Sequence, residues 1–190
     1  PDFLQETAET SVLRGAQRGT AVHKMLQYMD FSAAAQDIEA ELPRLQKSGC
    51  LTAAEARTLT PAKLRKFFAS ALYQRIAASA QVEKEKQFFV EIGELSLPED
   101  SALHRQYAGT DGILIGTMDL LFREADGWVL VDYKTDYAQS PDELTEKYRT
   151  QLTLYQKAAE RILGEPVKEA YLYAFSLNRA IAVQIDDAQF

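Results

Sequence analysis

A single cysteine, two histidines and one tryptophan among 190 residues exclude several common kinds of site. Cys50 alone cannot build a disulfide framework, a zinc ribbon or an iron–sulfur cluster held by this chain, and it reads as a small buried apolar side chain. His23 and His104 are too few for a multi-histidine zinc centre. There is no run of about 18 apolar residues and no signal-peptide pattern, which predicts a soluble, cytoplasmic protein with no membrane contact. No Walker-type loop is present, so any ATP-driven step belongs elsewhere. Positive charge is also short: 21 Lys and Arg against 28 Asp and Glu give a net charge of -7, which argues against a general polyanion-binding surface. Local basic groups remain, with Arg14, Arg18 and Lys24 near the N-terminus and Lys147 and Arg149 on a later helix.

What is present is 46% hydrophobic, enough for one sizeable core. No repeat, low-complexity segment or linker divides the chain. Residues 1–190 are therefore expected to form one domain, mostly helical over 1–80 and α/β over 81–190. The opening Pro1, without a methionine, points to a fragment of something longer. Residues 18–30 have helical spacing, with Val22, Met25, Leu26 and Met29 on the apolar face and His23 on its flank. Residues 32–79 are helical in pattern, with a helix opening at Thr60-Pro61 and a core stripe of Leu64, Phe67, Phe68, Ala71, Leu72 and Ile76. A strand is expected over 84–96, an irregular connection with an exposed His104 over 97–111, and a hairpin over 113–136. Ser140-Pro141-Asp142-Glu143 opens a helix with a serine N-cap, proline at N1 and a capping box, and Gly164 with Pro166 closes it. Strands near 167–175 and 180–186 finish the chain. A hairpin followed by strand–helix–strand predicts an α/β fold with a mixed sheet.

Within the hairpin, Gly116-Thr-Met-Asp119-Leu-Leu-Phe122 and Val129-Leu-Val-Asp132-Tyr-Lys134-Thr-Asp136 carry two carboxylates and a lysine in otherwise apolar runs. Charge is costly to bury there unless something offsets it. Glu124-Ala-Asp-Gly127 between them is turn-like. A loop over 124–127 pairs Arg123 with Trp128 and sets Asp119 opposite Asp132. A loop of only Asp126-Gly127 sets Asp119 opposite Lys134, with Asp132 on the diagonal. Every even loop puts Asp119, Asp132 and Lys134 on one face, because strand side chains alternate; an odd loop would part them. Like charges directly opposed are destabilising, and a bound cation reverses the sign of that interaction. The spacing favours a divalent-cation site with an activated water over a wet sheet edge on which Lys134 neutralises one carboxylate. Asp136 shares the parity but reads as the cap of the next turn.

On the later helix Tyr148, Gln151 and Tyr155 share one face at i, i+3 and i+7, continued by Leu144, Leu152, Ala159 and Ile162. Alone, that face is the edge of a core. In order, Gly19-Thr-Ala-Val-His23, Gly116-Thr-Met-Asp119, Asp132-Tyr-Lys134-Thr and Gln151-Leu-Thr-Leu-Tyr155 resemble four motifs of one family. These are the histidine motif, first aspartate, Asp-x-Lys signature and Gln-x-x-x-Tyr motif of the RecB-type nucleases of the PD-(D/E)XK superfamily. Pro1-Asp-Phe-Leu, Arg18-Gly-Thr-Ala-Val-His23 and Val131-Asp-Tyr-Lys-Thr-Asp136 resemble more closely the nuclease domains of AddA-type helicase–nuclease subunits. Lys84-Glu85-Lys86-Gln87-Phe88 is similar to the family's Arg-Glu-x-Pro-Phe segment without its proline, which adds Glu85 as a candidate contributor.

Asp119 and Asp132 are hard oxygen ligands suited to Mg²⁺ or Mn²⁺, with the Tyr133 backbone carbonyl as a third, and Lys134 can orient or activate the attacking water. The resemblance implies a restriction-endonuclease-like core and an imidazole ligand from His23, which suits Mn²⁺ better than Mg²⁺. It implies that Gln151 and Tyr155 contact the DNA backbone or brace the metal ligands, with Tyr148, Arg149 and Arg18 as further strand contacts. The implied activity is a metal-dependent deoxyribonuclease, an exonuclease on the unwound 3′-ended single strand in double-strand-break processing for recombinational repair. Its implied partners are DNA, a helicase motor on the same polypeptide and an AddB-type subunit, in a bacterial cytoplasm. The alternatives are a catalytically silent DNA-binding or scaffold module of the same fold and a stand-alone exonuclease. An α/β small-molecule-binding domain has no phosphate loop or cofactor fingerprint behind it.

Overall fold

The computed structural model describes residues 18–99, 101–107, 109 and 111–184. Pro1-Asp-Phe-Leu and Arg14 lie outside them. The described chain falls into two compact units. A helical unit holds residues 18–78 with Tyr133–Tyr137 and Ala174–Arg179, and a sheet unit holds Ser79–Asp132, Ala138–Tyr173 and 180–184.

In the helical unit, α1 covers residues 18–28 and buries Val22, Met25 and Leu26, with Met29 buried just beyond it. The region expected to be helical throughout is cut into α2 (Phe31–Gln36), α3 (Ile38–Lys47), α4 (Ala53–Thr58), α5 (Pro61–Phe68) and α6 (Ala71–Ala78). Caps make the cuts. Asp30 accepts from the Ser32 and Ala33 N–H groups, Asp37 accepts from Ala40, and Thr52 and Glu55 form a complete capping box. Pro61 starts α5, but Thr60 makes no side-chain cap. The expected 64–76 stripe is two helices, not one. Ser70 donates its hydroxyl to the Phe67 carbonyl at 2.6 Å and accepts from the Tyr73 N–H at 3.1 Å, which ends one helix and starts the next. Leu64, Phe67, Phe68, Leu72 and Ile76 are buried, whereas Ala71, at the new helix start, is exposed. Phe31, Phe67, Phe68 and Tyr73 pack edge-on or tilted with centroids 4.8–6.1 Å apart, and Tyr133 and Phe175 join through Phe67 at 5.8 and 6.0 Å. Cys50 is only half-buried rather than fully enclosed.

The sheet runs in the order β1-β2-β3-β4-β5. Its strands are β1 (Val82–Glu91), β2 (Ile113–Glu124), β3 (Gly127–Lys134), β4 (Val167–Ala174) and β5 (Arg179–Ala182). Pairs β1–β2 and β2–β3 are antiparallel. Between β3 and β4 the bonds Trp128 N–H to Pro166 C=O and Phe175 N–H to Lys134 C=O advance together along both strands, so this pair is parallel. The mixed α/β sheet is the one the sequence predicts. β1 ends five residues short of the expected 96, and the connection after it is not wholly irregular. It holds a 3₁₀ turn (Ile92–Glu94) and α7 (Ala102–Tyr107), which carries a half-buried His104 in place of the exposed one expected.

Helix α8 (Pro141–Leu163) begins where Ser140 accepts from the Glu143 N–H and ends at Gly164, whose φ of 67° is the left-handed C-cap that glycine adopts at little cost. The expected capping box is half made, because the Glu143 carboxylate accepts from the Gln139 N–H instead of that of Ser140. Leu144, Leu152 and Ala159 are buried, but Ile162 is 39% exposed near the helix end. Among the described residues no helix is long and apolar enough to cross a membrane.

Candidate active site

Strand register builds the site in the sheet unit. The β2–β3 ladder runs from Glu124↔Gly127 to Leu120↔Val131, so the next pair inward sets Asp119 opposite Asp132. This is the register of the longer-loop expectation, reached by a tighter turn: Glu124 and Gly127 pair as well, leaving Ala125-Asp126 as the turn residues. The register that faces Asp119 with Lys134 is not adopted. Both aspartates are buried, at 7% and 3% exposure.

A third carboxylate joins them. The β1–β2 ladder passes from Lys84↔Leu120 to Lys86↔Met118, leaving Glu85 opposite Asp119. Glu85 has φ 49°, a left-handed conformation that a non-glycine residue adopts at a cost of about 1 kcal/mol or more. A carboxylate oxygen of Glu85 lies within 4.8 Å of one of Asp119. Glu85, Asp119 and Asp132 therefore form a row across three adjacent strands, where mutual repulsion calls for positive charge.

Helix α8 covers this row. Gln151 Nε2 is 3.5 Å from Asp132 Oδ1. Tyr155 stands edge-on to Phe88, with centroids 5.0 Å apart and planes at 83°. The glycine of Gly116-Thr-Met-Asp119 makes that fit possible: a Cβ at Gly116 would lie 2.7 Å from Tyr155 Oη and 2.8 Å from two Phe88 ring carbons. The first-aspartate and Gln-x-x-x-Tyr motifs are thus one packing unit. Tyr148 and Arg149, earlier on α8, are half-buried, and Lys147 Nζ lies 5.0 Å from the Tyr148 ring centroid.

The helical unit holds the remaining candidates. His23 Nε2 is 3.1 Å from the Tyr133 carbonyl oxygen. Two donors of one octahedral shell with metal–ligand distances near 2.1 Å stand about 3 Å apart, so this pair has the separation of neighbouring ligands. An imidazole nitrogen and a carbonyl oxygen are donors that a divalent cation such as Mn²⁺ accepts. Arg18 Nη2 donates to the Thr135 carbonyl at 3.3 Å, and Lys134 ends β3 half-buried. Lys24 does not join Arg18. Its amine lies 3.1 Å from both oxygens of Glu55, and the Thr52 N–H and Lys24 together hold that carboxyl below its ordinary range.

The place of Glu85 in the row, and of Phe88 beneath Tyr155, goes beyond what motif matching offers. Both follow from the β1–β2 register, which the long connection between these strands leaves unset in the sequence.

Comparison with known proteins agrees with this geometry. The family model described as the PD-(D/E)XK nuclease superfamily matches residues 3–187. The chain is 34% identical over 186 residues to an ATP-dependent helicase/nuclease subunit of Clostridium botulinum, covering 96% of this chain and 14% of that protein. It is 35% identical over 191 residues to the like-named subunit of Clostridium perfringens, covering 96% and 15%. For that of Acetivibrio thermocellus the identity is 36% over 180 residues, covering 92% and 14%. The chain thus spans about one-seventh of the length of these relatives. With the matched region enclosing all four motifs and the carboxylate row, the chain belongs to the PD-(D/E)XK nuclease superfamily.

Proposed function

We propose that this chain is a divalent-metal-dependent deoxyribonuclease domain that hydrolyses phosphodiester bonds in single-stranded DNA. The observation that carries the reading is the buried opposition of Asp119 and Asp132 on β2 and β3, a repulsive pair that a cation turns into an attractive one. In this reading Asp119, Asp132, the Tyr133 carbonyl and His23 hold Mg²⁺ or Mn²⁺. When bound, the ion acts as a Lewis acid toward charge on the phosphate and makes its water acidic enough to attack at neutral pH. Lys134, two residues beyond Asp132 on the same strand parity, hydrogen-bonds the attacking water and orients it. Gln151 steadies Asp132, and Tyr155, Tyr148, Arg149 and Arg18 contact the strand. Glu85 adds negative charge beside Asp119.

The similarity to helicase/nuclease subunits supports a setting inside a helicase–nuclease of AddA type. There a motor elsewhere on the polypeptide unwinds DNA ends, an AddB-type protein is the partner, and this domain, in a bacterial cytoplasm, degrades the 3′-ended strand during break repair. Within that reading residues 1–190 act as one nuclease domain. End-labelled single-stranded DNA incubated with Mg²⁺ or Mn²⁺ tests the proposal beside Asp132→Ala and Lys134→Ala. Cleavage that needs metal and falls at least a hundredfold in both variants is expected, about 2.7 kcal/mol of lost transition-state stabilisation. Binding without cleavage by the wild type under every metal condition would instead indicate a silent module.

A further inference from the structure

The helical unit contains a cleft of which the nuclease reading uses only Arg18. It is lined by Arg18 of α1, Thr58 at the end of α4, Thr60 just before α5, Lys63 of α5 and Thr135 just beyond β3, beside apolar side chains. Two cations and three hydroxyls converge on it. Among the described residues no carboxylate pairs with Lys63 or Arg18; Arg18 donates to the Thr135 carbonyl at 3.3 Å. The Lys63 ammonium is disfavoured by burial first and then by Arg18 and Lys66, so its pKa sits below the ordinary lysine value. An anion between Lys63 and Arg18 would offset both penalties. The Thr60 and Thr135 hydroxyls supply neutral donors, whereas that of Thr58 donates to the Glu55 carbonyl at 2.7 Å, and a guanidinium beside an ammonium is a donor set suited to a phosphate oxygen. Thr135 also packs closely on α1, since a Cβ at Gly19 would lie 3.1 Å from Thr135 Oγ1.

We infer that this cleft, between Lys63 and Arg18 with the hydroxyls of Thr60 and Thr135, binds a backbone phosphate of the single strand being cut. The inference rests on the nuclease reading and extends it from the reacting phosphate to a neighbouring one. Arg18 and His23 are five residues apart on α1, about 7.5 Å along its axis, so the cleft flanks the His23–Tyr133 pair rather than coinciding with it. Lys63 becomes a strand-binding residue in a chain whose net charge is -7.

The test uses the full chain and a short labelled single-stranded oligonucleotide, with metal removed so that nothing is cut, over a potassium chloride series. Lys63→Gln is expected to weaken binding roughly tenfold. It should also reduce the slope of log affinity against log salt by about 0.7, the contribution of one phosphate contact on a single strand. Lys63→Arg should restore both, and Lys66→Gln, an exposed neighbour, should change affinity much less. Unchanged affinity and slope in Lys63→Gln would overturn the inference, as would an equal loss in Lys66→Gln, the mark of a diffuse surface field. Titration with inorganic phosphate distinguishes the source of the anion. Phosphate binding that Lys63→Gln removes while oligonucleotide affinity stays constant would overturn the assignment to a strand. If the wild type cuts DNA with Mg²⁺ while Lys63→Gln binds normally, only this inference fails. A wild type that neither binds nor cuts removes the nuclease reading as well.

Discussion

At Gly116 the absence of a side chain is what lets Tyr155 of α8 and Phe88 of β1 meet over β2. Gly116→Ala puts a methyl into contacts of 2.7 and 2.8 Å that include ring carbons of the buried Phe88. The expected cost is about 1–3 kcal/mol of stability, read as a lower urea midpoint, because the overpacking must move an aromatic ring. Combining it with Tyr155→Phe relieves only the hydroxyl contact, so the double variant should recover part of the loss. Glu85 makes the opposite bargain. It holds a left-handed φ of 49° beside Asp119. Glu85→Gly is therefore expected to stabilise the metal-free chain by about 1 kcal/mol in chemical denaturation, while weakening Mg²⁺ or Mn²⁺ binding. The Gly116 motif is visible in the sequence, but the reason for it is not, since Phe88 and Tyr155 are far apart in the chain. The Glu85 conformation is illegible there: nothing in Lys84-Glu85-Lys86 distinguishes a left-handed residue from an ordinary one in a strand.

Among the elements, α8 follows the sequence closely because both its ends carry their own chemistry: Ser140 and Pro141 at one, Gly164 at the other. Ser140→Ala should cost about 1 kcal/mol in thermal or denaturant unfolding by orphaning the Glu143 N–H. Because α8 presents Gln151 and Tyr155, hydrogen exchange should speed up in its first turn well before the turns carrying those residues. The region 32–79 follows the sequence less well. Its apolar spacing continues through the breaks, and the side chains that make them, Asp30, Asp37 and Ser70, are polar residues equally at home on a solvated helix face. Pro43 even lies inside α3 without ending it. The hairpin is half legible. Period-two alternation puts the two aspartates on one face for any even loop, but the choice between facing Asp132 and facing Lys134 depends on whether Glu124 and Gly127 pair, which turn composition does not decide.

For the molecule as a whole, an acidic composition coexists with a site proposed to take a cation and a strand of polyanion. The two requirements share a cause. The carboxylates of Glu85, Asp119 and Asp132 contribute to the negative total and are the groups proposed to draw a metal, while the basic groups proposed to meet the strand are few and local. The site class is readable because four motifs keep their order along the chain. The division into units is not, because the helical unit takes in Tyr133–Tyr137 and Ala174–Arg179 from far along the sequence. If the paired aspartates exist to hold a divalent ion, calorimetric titration of the metal-free chain with Mn²⁺ should show saturable binding by the wild type. That binding should weaken at least about tenfold in both Asp119→Asn and Asp132→Asn, with the fold retained by circular dichroism. Wild-type affinity in both variants, or no Mn²⁺ binding by the wild-type chain, would refute the metal role of the pair.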